Sequence, residues 1–315
     1  MRCSVLITAY NSEQTIRQTL SSVLEQSRQP DEILVWDDGS TDSTPSILQE
    51  YSSVITVIRS QNGGVAQARN RLCERATGDL LAFIDHDDLW HPNYLKTQIA
   101  LAERFSSAVA YYAGHANMSG LGNFDWNSVA DSRESPQILS PLKFLSEYNR
   151  ATGRFGSMSF CIFRRYVLTK IPFEPFHPKL CGAEDSFLAS LFALLGDVVF
   201  NPDKLVCYRI LESSLSANRL KMMRFWVEMF EILSPIYREK AERELIRVFK
   251  YAFGAKRRQY ARLLMGAGQW NQARSQLLKS ISCCLQLTSM LKSFALLTVS
   301  FIPLSLQPQW PSSQR

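Results

Sequence analysis

Three carboxylates fall within four residues at Asp85-His86-Asp87-Asp88, directly after the apolar run Leu80–Ile84. Crowded at a strand end, they repel one another until a cation or a proton neutralises them. Oxygen donors of this kind select hard divalent ions, and Mg²⁺ commonly bridges one or two carboxylates to substrate phosphates. A solvated acidic loop with helix-capping aspartates would place the same residues here. Trp36-Asp37-Asp38-Gly39-Ser40-Thr41-Asp42 also follows an apolar run. An aspartate there can accept from a base or ribose, and Gly39 lets backbone approach a ligand; a plain turn with an N-cap is the simpler alternative. Asn62-Gly63-Gly64-Val65-Ala66-Gln67-Ala68-Arg69-Asn70 sets glycines before a helix and Arg69 a turn or two inside it, near enough to reach a phosphate. Its plainer reading is a flexible turn and a solvated arginine. Gly182-Ala183-Glu184-Asp185 pairs two acids after a glycine, where acids also favour a helix's first turn.

These groups need elements to hold them. Cys3–Ala9 reads as a buried strand, and Asn11 as the cap of a helix with apolar spacing at Ile16, Leu20, Val23 and Leu24. Glu32–Trp36, Val54–Ile58 and Leu80–Ile84 read as further strands. Between them lie a helix capped by Thr41 or Asp42, with Pro45 in its first turn, and a helix over 65–76. Short strands alternating with helices imply a parallel sheet with helices on both faces. In such sheets ligands bind at the carboxyl ends of the strands, where the acidic and glycine segments lie. Residues 114–157 show no clear period and read as long loops with a helix near Pro141–Tyr148. Met158–Phe163 and Val198–Cys207 read as strands, and 221–282 as helical throughout, with a tetratricopeptide-like helix pair over 251–282.

Taken together, Leu6–Asn11, Trp36–Asp42, Asn62–Asn70 and Gly78-Asp79 with Ile84–Trp90 resemble the family 2 glycosyltransferases of the GT-A fold. The likeness is close over 1–92 and looser to about 215. It implies an α/β, Rossmann-like, mostly parallel sheet with helices on both faces, followed by a C-terminal helical extension. It implies that Thr8, Ala9, Tyr10 and Asn11 line the nucleotide pocket, joined by Asp37, Asp38, Asn62, Gly63, Arg69 and His86. Asp85 and Asp87 would be the acids of a D-x-D motif, Asp87 on Mg²⁺ or Mn²⁺ and Asp85 nearer the ribose, with Asp88 extending the motif. Asp185 would be the base that deprotonates the acceptor hydroxyl, supported by Glu184, in one inverting displacement. Where relatives carry Tyr-Arg-x-His, this chain has Tyr208-Arg209-Ile210-Leu211, so the resemblance leaves Arg209 to face the diphosphate, or His177 or His86 to substitute.

The rest of the sequence sets bounds. A sugar nucleotidyltransferase would place a glycine-rich basic loop after the first strand, where Thr8-Ala9-Tyr10-Asn11-Ser12 stands. An aspartyl phosphatase would place D-x-D there. A degenerate nucleotide-sugar-binding or scaffold protein is the non-enzymatic alternative, and the joint presence of Asp85, Asp87 and Asp185 opposes it. Seven cysteines without a C-x-x-C pair read as reduced thiols. The first ten residues lack the apolar length of a signal peptide, so the reading is cytoplasmic. Boundaries fall at 1–218, with 1–112 for the donor and 113–218 for acceptor and base, and 219–315 as a basic extension. That extension holds sixteen basic residues against five acids, with no acid after Glu244. Its apolar run 293–306 is shorter than the roughly 20 residues of a membrane span. The run and the charge together suit peripheral contact through 245–315 at the inner face of the cytoplasmic membrane. No nucleic-acid-binding module accompanies the charge. Expected partners are a nucleotide-sugar donor, with UDP favoured, and a saccharide or lipid-linked acceptor.

Overall fold

A computed structural model describes residues 1–129, 132–150, 154–211, 218–283 and 287–301. The chain divides into two compact units, Met1–Ser214 and Leu215–Arg315.

Among the described residues the first unit carries a nine-stranded sheet ordered β3-β2-β1-β4-β8-β6-β9-β5, with β7 paired to β9. β1 (Cys3–Ala9) is buried along its whole length. It pairs in parallel with β2 (Glu32–Asp37) and with β4 (Leu80–Asp85), and β3 (Thr56–Arg59) pairs in parallel with β2. Uninterrupted apolar runs belong in this position, where helices cover both faces. From β8 (Cys161–Arg164) onward the sheet is mixed. β8 runs antiparallel to β4 and to β6 (Ala110–Ser119), while β6 and β9 (Val198–Ile210) are parallel. The short β5 (Leu89–Trp90) and β7 (Gln137–Leu139) run antiparallel to β9.

Four local expectations change. Asn11 does not cap α1 (Ile16–Leu24). It sits at φ 47°, and its Oδ1 accepts from the Thr41 amide at 2.8 Å, tying the loop after β1 to the loop after β2. The amides of Ile16 and Thr15 are met by the Ser12 carbonyl instead. β6 continues through Ser119, past the expected loop start, because pairing with β9 supplies hydrogen bonds that no periodicity announces. Met158–Phe160 is a 3₁₀ turn, leaving Cys161–Arg164 as strand. The expected helical stretch over 221–282 is broken once more than the helix pair implied, at Ala241–Glu242 between α7 (Arg219–Lys240) and α8 (Arg243–Gly266), while the break before α9 (Trp270–Ser282) falls where the pair puts it. α2 (Thr44–Glu50) does receive Asp42, which accepts from the Thr44 amide at 2.9 Å. Helices α3 (Val65–Arg75), α4 (Tyr94–Arg104), α5 (Pro141–Asn149) and α6 (Glu184–Leu195) complete the first unit. The second unit also contains α10 (Leu287–Val299), and of the apolar run 293–306 the residues from Ile302 on lie outside the described residues. The thiols of Cys3, Cys73, Cys161 and Cys207 are buried.

Gly39 has a different use from the one expected. At φ 77°, a Cβ there would lie 2.8 Å from the Asn62 amide nitrogen and 3.2 Å from the Ser60 carbonyl. The missing side chain admits the β3–α3 loop, not a ligand. Gly39→Ala should therefore lower stability by about 2–3 kcal/mol, from left-handed strain plus the backbone clash. The check is the urea midpoint at constant m; an unchanged midpoint would mean that the loop yields without cost.

Candidate active site

Sheet register builds the site. Ala9 pairs with Asp37, Thr8 with Asp85, and Asp37 with Arg59, so four neighbouring parallel strands, β3, β2, β1 and β4, end in one line. The acids of two sequence segments therefore flank the end of β1. Thr8 and Ala9 are buried in that line, and Tyr10 is 47% exposed beyond it. The amide of Asp38 donates to the Ala9 carbonyl at 2.9 Å.

The Asp38 carboxylate accepts from the amides of Gly63 and Gly64 at 2.9 and 2.8 Å. It thereby fixes the glycine loop that leads into α3, a role the sequence did not announce. Asp37 accepts from the Ser40 amide at 2.9 Å and pairs with Arg59 at 3.3 Å. Asn62 is exposed beside this clamp. Of the residues assigned to the nucleotide, Tyr10 and Asn62 present open side chains, while Asp37 and Asp38 shape the loops around them.

Arg69 departs most from expectation. Its side chain is only 5% exposed and does not extend to solvent. Nη2 donates to Asp85 at 2.6 Å and Nη1 to Glu184 at 2.8 Å, and the guanidinium lies 5.5 Å from the centroid of the Phe176 ring. The Asn70 side chain exchanges two hydrogen bonds with the Phe176 backbone, securing the same loop. Glu184 also accepts from the Gly182 amide at 2.6 Å. Arg69 thus joins the acid turn after β4 to the acid pair opening α6, reaching a carboxylate 115 residues beyond it in sequence.

The turn after β4 is closed by the Asp88 amide on the Asp85 carbonyl, with the Thr19 hydroxyl between the carbonyls of His86 and Asp88. The His86 ring lies 3.4 Å from the Thr15 hydroxyl. Burial would raise the Asp85 carboxyl, but Arg69 outweighs it by charge and hydrogen bond, and His86 and Ser157 add to the lowering. Burial pushes Asp87 up, and burial plus the charges of Asp87 and Asp85 pushes Asp88 well up. One Asp88 oxygen accepts from the Arg209 amide, while the other is buried with no hydrogen-bond partner among the described residues. This is an excess of negative charge aimed at one turn, and such a donor set suits a hard divalent cation. Among the described residues no three His, Cys, Asp or Glu side chains converge as a complete metal cage. A divalent ion here would complete its shell with water or substrate oxygens.

Arg209 also differs from expectation. It is 1% exposed, and its guanidinium donates to the carbonyls of Asp87 and Gly120 and to Gln18 Oε1, at 2.7, 2.9 and 2.7 Å. It is a buried strut under the acid turn, not a side chain that faces a diphosphate. His177 stacks edge-on against Phe187 at 5.5 Å, in the loop before α6.

Asp185 is half-buried at the start of α6. Burial, then the Glu184 carboxylate, pushes its carboxyl up to about 7 against the opposing pull of Arg69. Its Oδ1 accepts from the amide and the hydroxyl of Ser186, and Tyr148 lies 2.9 Å from that hydroxyl. No motif in the sequence singles out Ser157 and Ser159. The Ser157 hydroxyl donates to Asp85 at 3.1 Å, and the Ser159 hydroxyl accepts from the Asp85 amide at 2.9 Å. Their signal was the Ser-x-Ser spacing before a strand, which has no meaning until β8 is placed beside β4.

The family model for glycosyl transferase family 2 matches residues 4–171. The Escherichia coli protein WfgD, a UDP-Glc:alpha-D-GlcNAc-diphosphoundecaprenol beta-1,3-glucosyltransferase, is 29% identical over 70% of this chain and 82% of its own. The crystal structure of S. aureus TarS 1–349 in complex with UDP-GlcNAc aligns with TM-score 0.69 and 19% identity, over 95% of this chain and 90% of that one. The mannosyltransferase PcManGT of Pyrobaculum calidifontis, in complex with GDP-Man and Mn²⁺, aligns with TM-score 0.55 and 19% identity over 95% and 85%. These structural likenesses carry the fold.

Removing Arg69 would strand two acids in the interior. Arg69→Met should destabilise the first unit by about 3–5 kcal/mol at neutral pH, the range for breaking a buried pair from one side. The Asp85 carboxyl is held low in the fold, so its share of the stability is present above the ordinary carboxylate range. That share fades as pH falls through the depressed value. Denaturant titration across pH tests this: a loss below about 1 kcal/mol at pH 7 would remove Arg69 from this role.

Proposed function

The chain belongs to glycosyltransferase family 2 and is a glycosyltransferase of the GT-A fold, and on that premise we propose how its residues divide the work of transfer. Residues 1–112 bind a nucleoside-diphosphate sugar, and residues 113–218 bind the acceptor and hold the base. The observation that carries this reading is the single buried tie Asp85–Arg69–Glu184, because it holds the acid turn and Asp185 to one frame.

Asp185 takes the proton from the acceptor hydroxyl. With its carboxyl near 7 it is a stronger base than an ordinary aspartate, yet largely ionised just above neutrality. Attack from the face opposite the departing diphosphate inverts the anomeric carbon. Glu184 supports the base indirectly: its charge raises Asp185, while its own oxygens are held by Arg69 and Gly182. Thr8, Ala9, Tyr10, Asn11 and Asn62 border the nucleotide, within loops that Asp37, Asp38 and Gly63 hold in shape. Asp87, with Asp85, would hold Mg²⁺ or Mn²⁺, which when bound stabilises negative charge on the leaving diphosphate. Asp87 is the better placed of the two, since Asp85 already accepts from Arg69 and Ser157. Arg209 contributes by holding the turn that presents Asp87, through its bond to the Asp87 carbonyl.

WfgD is named for UDP-Glc and TarS is bound to UDP-GlcNAc, which favours a UDP-sugar as donor here. WfgD is also named for a diphosphoundecaprenol acceptor. A lipid-linked saccharide, in cell-surface polysaccharide or glycolipid synthesis, is the acceptor class this reading adopts. Among the described residues no helix is long and apolar enough to cross a membrane. Contact with the inner face of the cytoplasmic membrane would then be peripheral, through 245–315.

Two experiments test these roles. Asp185→Asn should keep donor affinity and lose transfer by about 10²–10⁴-fold, as for a lost general base. The wild-type rate should climb with pH through about 7, since the protonated carboxyl cannot accept, and the variant should lack that limb. Equal loss of donor binding and transfer would make Asp185 structural. Separately, Asp87→Ala should abolish the Mg²⁺- or Mn²⁺-dependent part of donor binding in calorimetry while the melting curve stays in place. Metal-dependent binding that survives the change would remove Asp87 from the metal.

A further inference from the structure

Helix α10 has its polarity reversed. Ser289, Ser293 and Leu296, with Ser300 just past the helix, recur at helical spacing and are buried. Three of these four are serines. The opposite face carries Leu291, Phe294, Ala295 and Thr298, followed by Phe301; Leu291 is 56%, Phe294 46% and Phe301 64% exposed. Leu297 and Val299 lie half-buried at the margin. A helix on a protein surface in water shows the opposite pattern.

The buried seam is held by hydrogen bonds. The Ser280 hydroxyl on α9 donates to the Ser293 hydroxyl at 2.8 Å, and Arg258 on α8 reaches the same oxygen at 3.4 Å. Arg274 on α9 donates to the Ser300 carbonyl at 2.6 Å. Small residues and side-chain hydrogen bonds join helices where the surroundings are themselves apolar, because large side chains then gain nothing by turning inward. With 13 residues and a lysine within it, α10 is too short to span a bilayer. A helix lying in the plane of an interface satisfies both facts.

Charge selects the occupant. Lys292 is exposed next to Leu291, and the Arg274 guanidinium covers the Phe301 ring at 4.3 Å. Lys279, Arg262 and Arg247 are exposed on α8 and α9, and no acid follows Glu244. A second copy of the chain would bring the same positive charge to the contact, whereas anionic headgroups would draw it in. We infer that α10 lies in the headgroup boundary of an anionic bilayer with Leu291, Phe294 and Phe301 inserted. The inference rests on the peripheral-membrane part of the proposed function and assigns its contact residues.

The test sediments the full chain with phosphatidylcholine vesicles, with and without phosphatidylglycerol, at low and high salt. Wild type should pellet with phosphatidylglycerol at low salt and be released by high salt. Leu291→Asn with Phe294→Asn, both at exposed positions, should weaken partitioning at least about tenfold. Lys279→Glu with Lys292→Glu should weaken it on anionic vesicles while leaving the apolar face intact. Nucleotide-sugar hydrolysis by the same preparations reports the donor site separately, so failure to bind vesicles is distinguishable from failure of the transferase site. Wild type that stays in the supernatant with phosphatidylglycerol at low salt overturns the inference. So does an apolar variant that pellets like wild type. A dimer in light scattering that the Leu291/Phe294 change dissolves would give the face to a second copy and overturn it as well.

Discussion

The guanidinium of Arg69, buried between Asp85 and Glu184, is the constraint on which the rest of the site depends. Each carboxylate alone would be expensive to hold in the interior, and so would the guanidinium. Together, and with Ser157 and the Gly182 amide on the remaining oxygens, they form a network in which every oxygen of the two carboxylates is met, while Arg69 Nε has no hydrogen-bond partner among the described residues. The network spans the turn after β4 and the start of α6, elements that no strand pairing joins directly. If the two halves of a transfer site must keep a fixed separation while donor and acceptor come and go, an ion network of this kind sets it. Apolar packing would hold the same elements together with less directional precision.

The same network divides labour among the acids. Asp85 sits against the cation and stays ionised. Asp87 and Asp88 share the turn without an arginine on their carboxylates, and burial with like charge pushes both up. Asp185 lies one residue beyond the paired Glu184 and feels its negative charge more than the pull of Arg69. Environment thus separates chemically identical groups into an ionised tie, two carboxyls raised by burial and crowding, and one raised to about 7. The acid turn is held from below by Arg209 and from the side by Thr19, so its shape does not depend on what its carboxylates bind.

The second unit follows another logic. Lys256, Arg257 and Arg258, which the sequence presents as part of a basic tail, are buried. The Lys256 ammonium lies 4.1 Å from the Trp226 ring centroid and Arg257 bonds Glu231 at 2.7 Å. Three of the ten basic residues after Glu244 therefore serve the helical core, and the positive surface is smaller than the count suggests. α10 reverses the usual order, with serines inward and large apolar groups outward.

The strand and helix order of the first ninety residues, the acid clusters and the family were legible in the sequence, because each is a local pattern of period, spacing or residue type. Helix and strand periods follow from backbone geometry, and like charges packed within four residues announce themselves without a fold. The roles of individual side chains were not legible in this way. Arg69 and Arg209 looked like phosphate ligands because an arginine near a glycine loop or an acid turn has that reach, but burial spends their donors on carboxylates and carbonyls from distant segments. Asp38 and Gly39 looked like ligand contacts, yet they lock the β3–α3 loop, since strand register sets that loop against them. Ser157 and Ser159 carried no signal until β8 was inserted antiparallel beside β4. Sequence fixes which groups are available, whereas hydrogen-bond partners and burial depend on which distant elements share an edge, and only tertiary structure decides that.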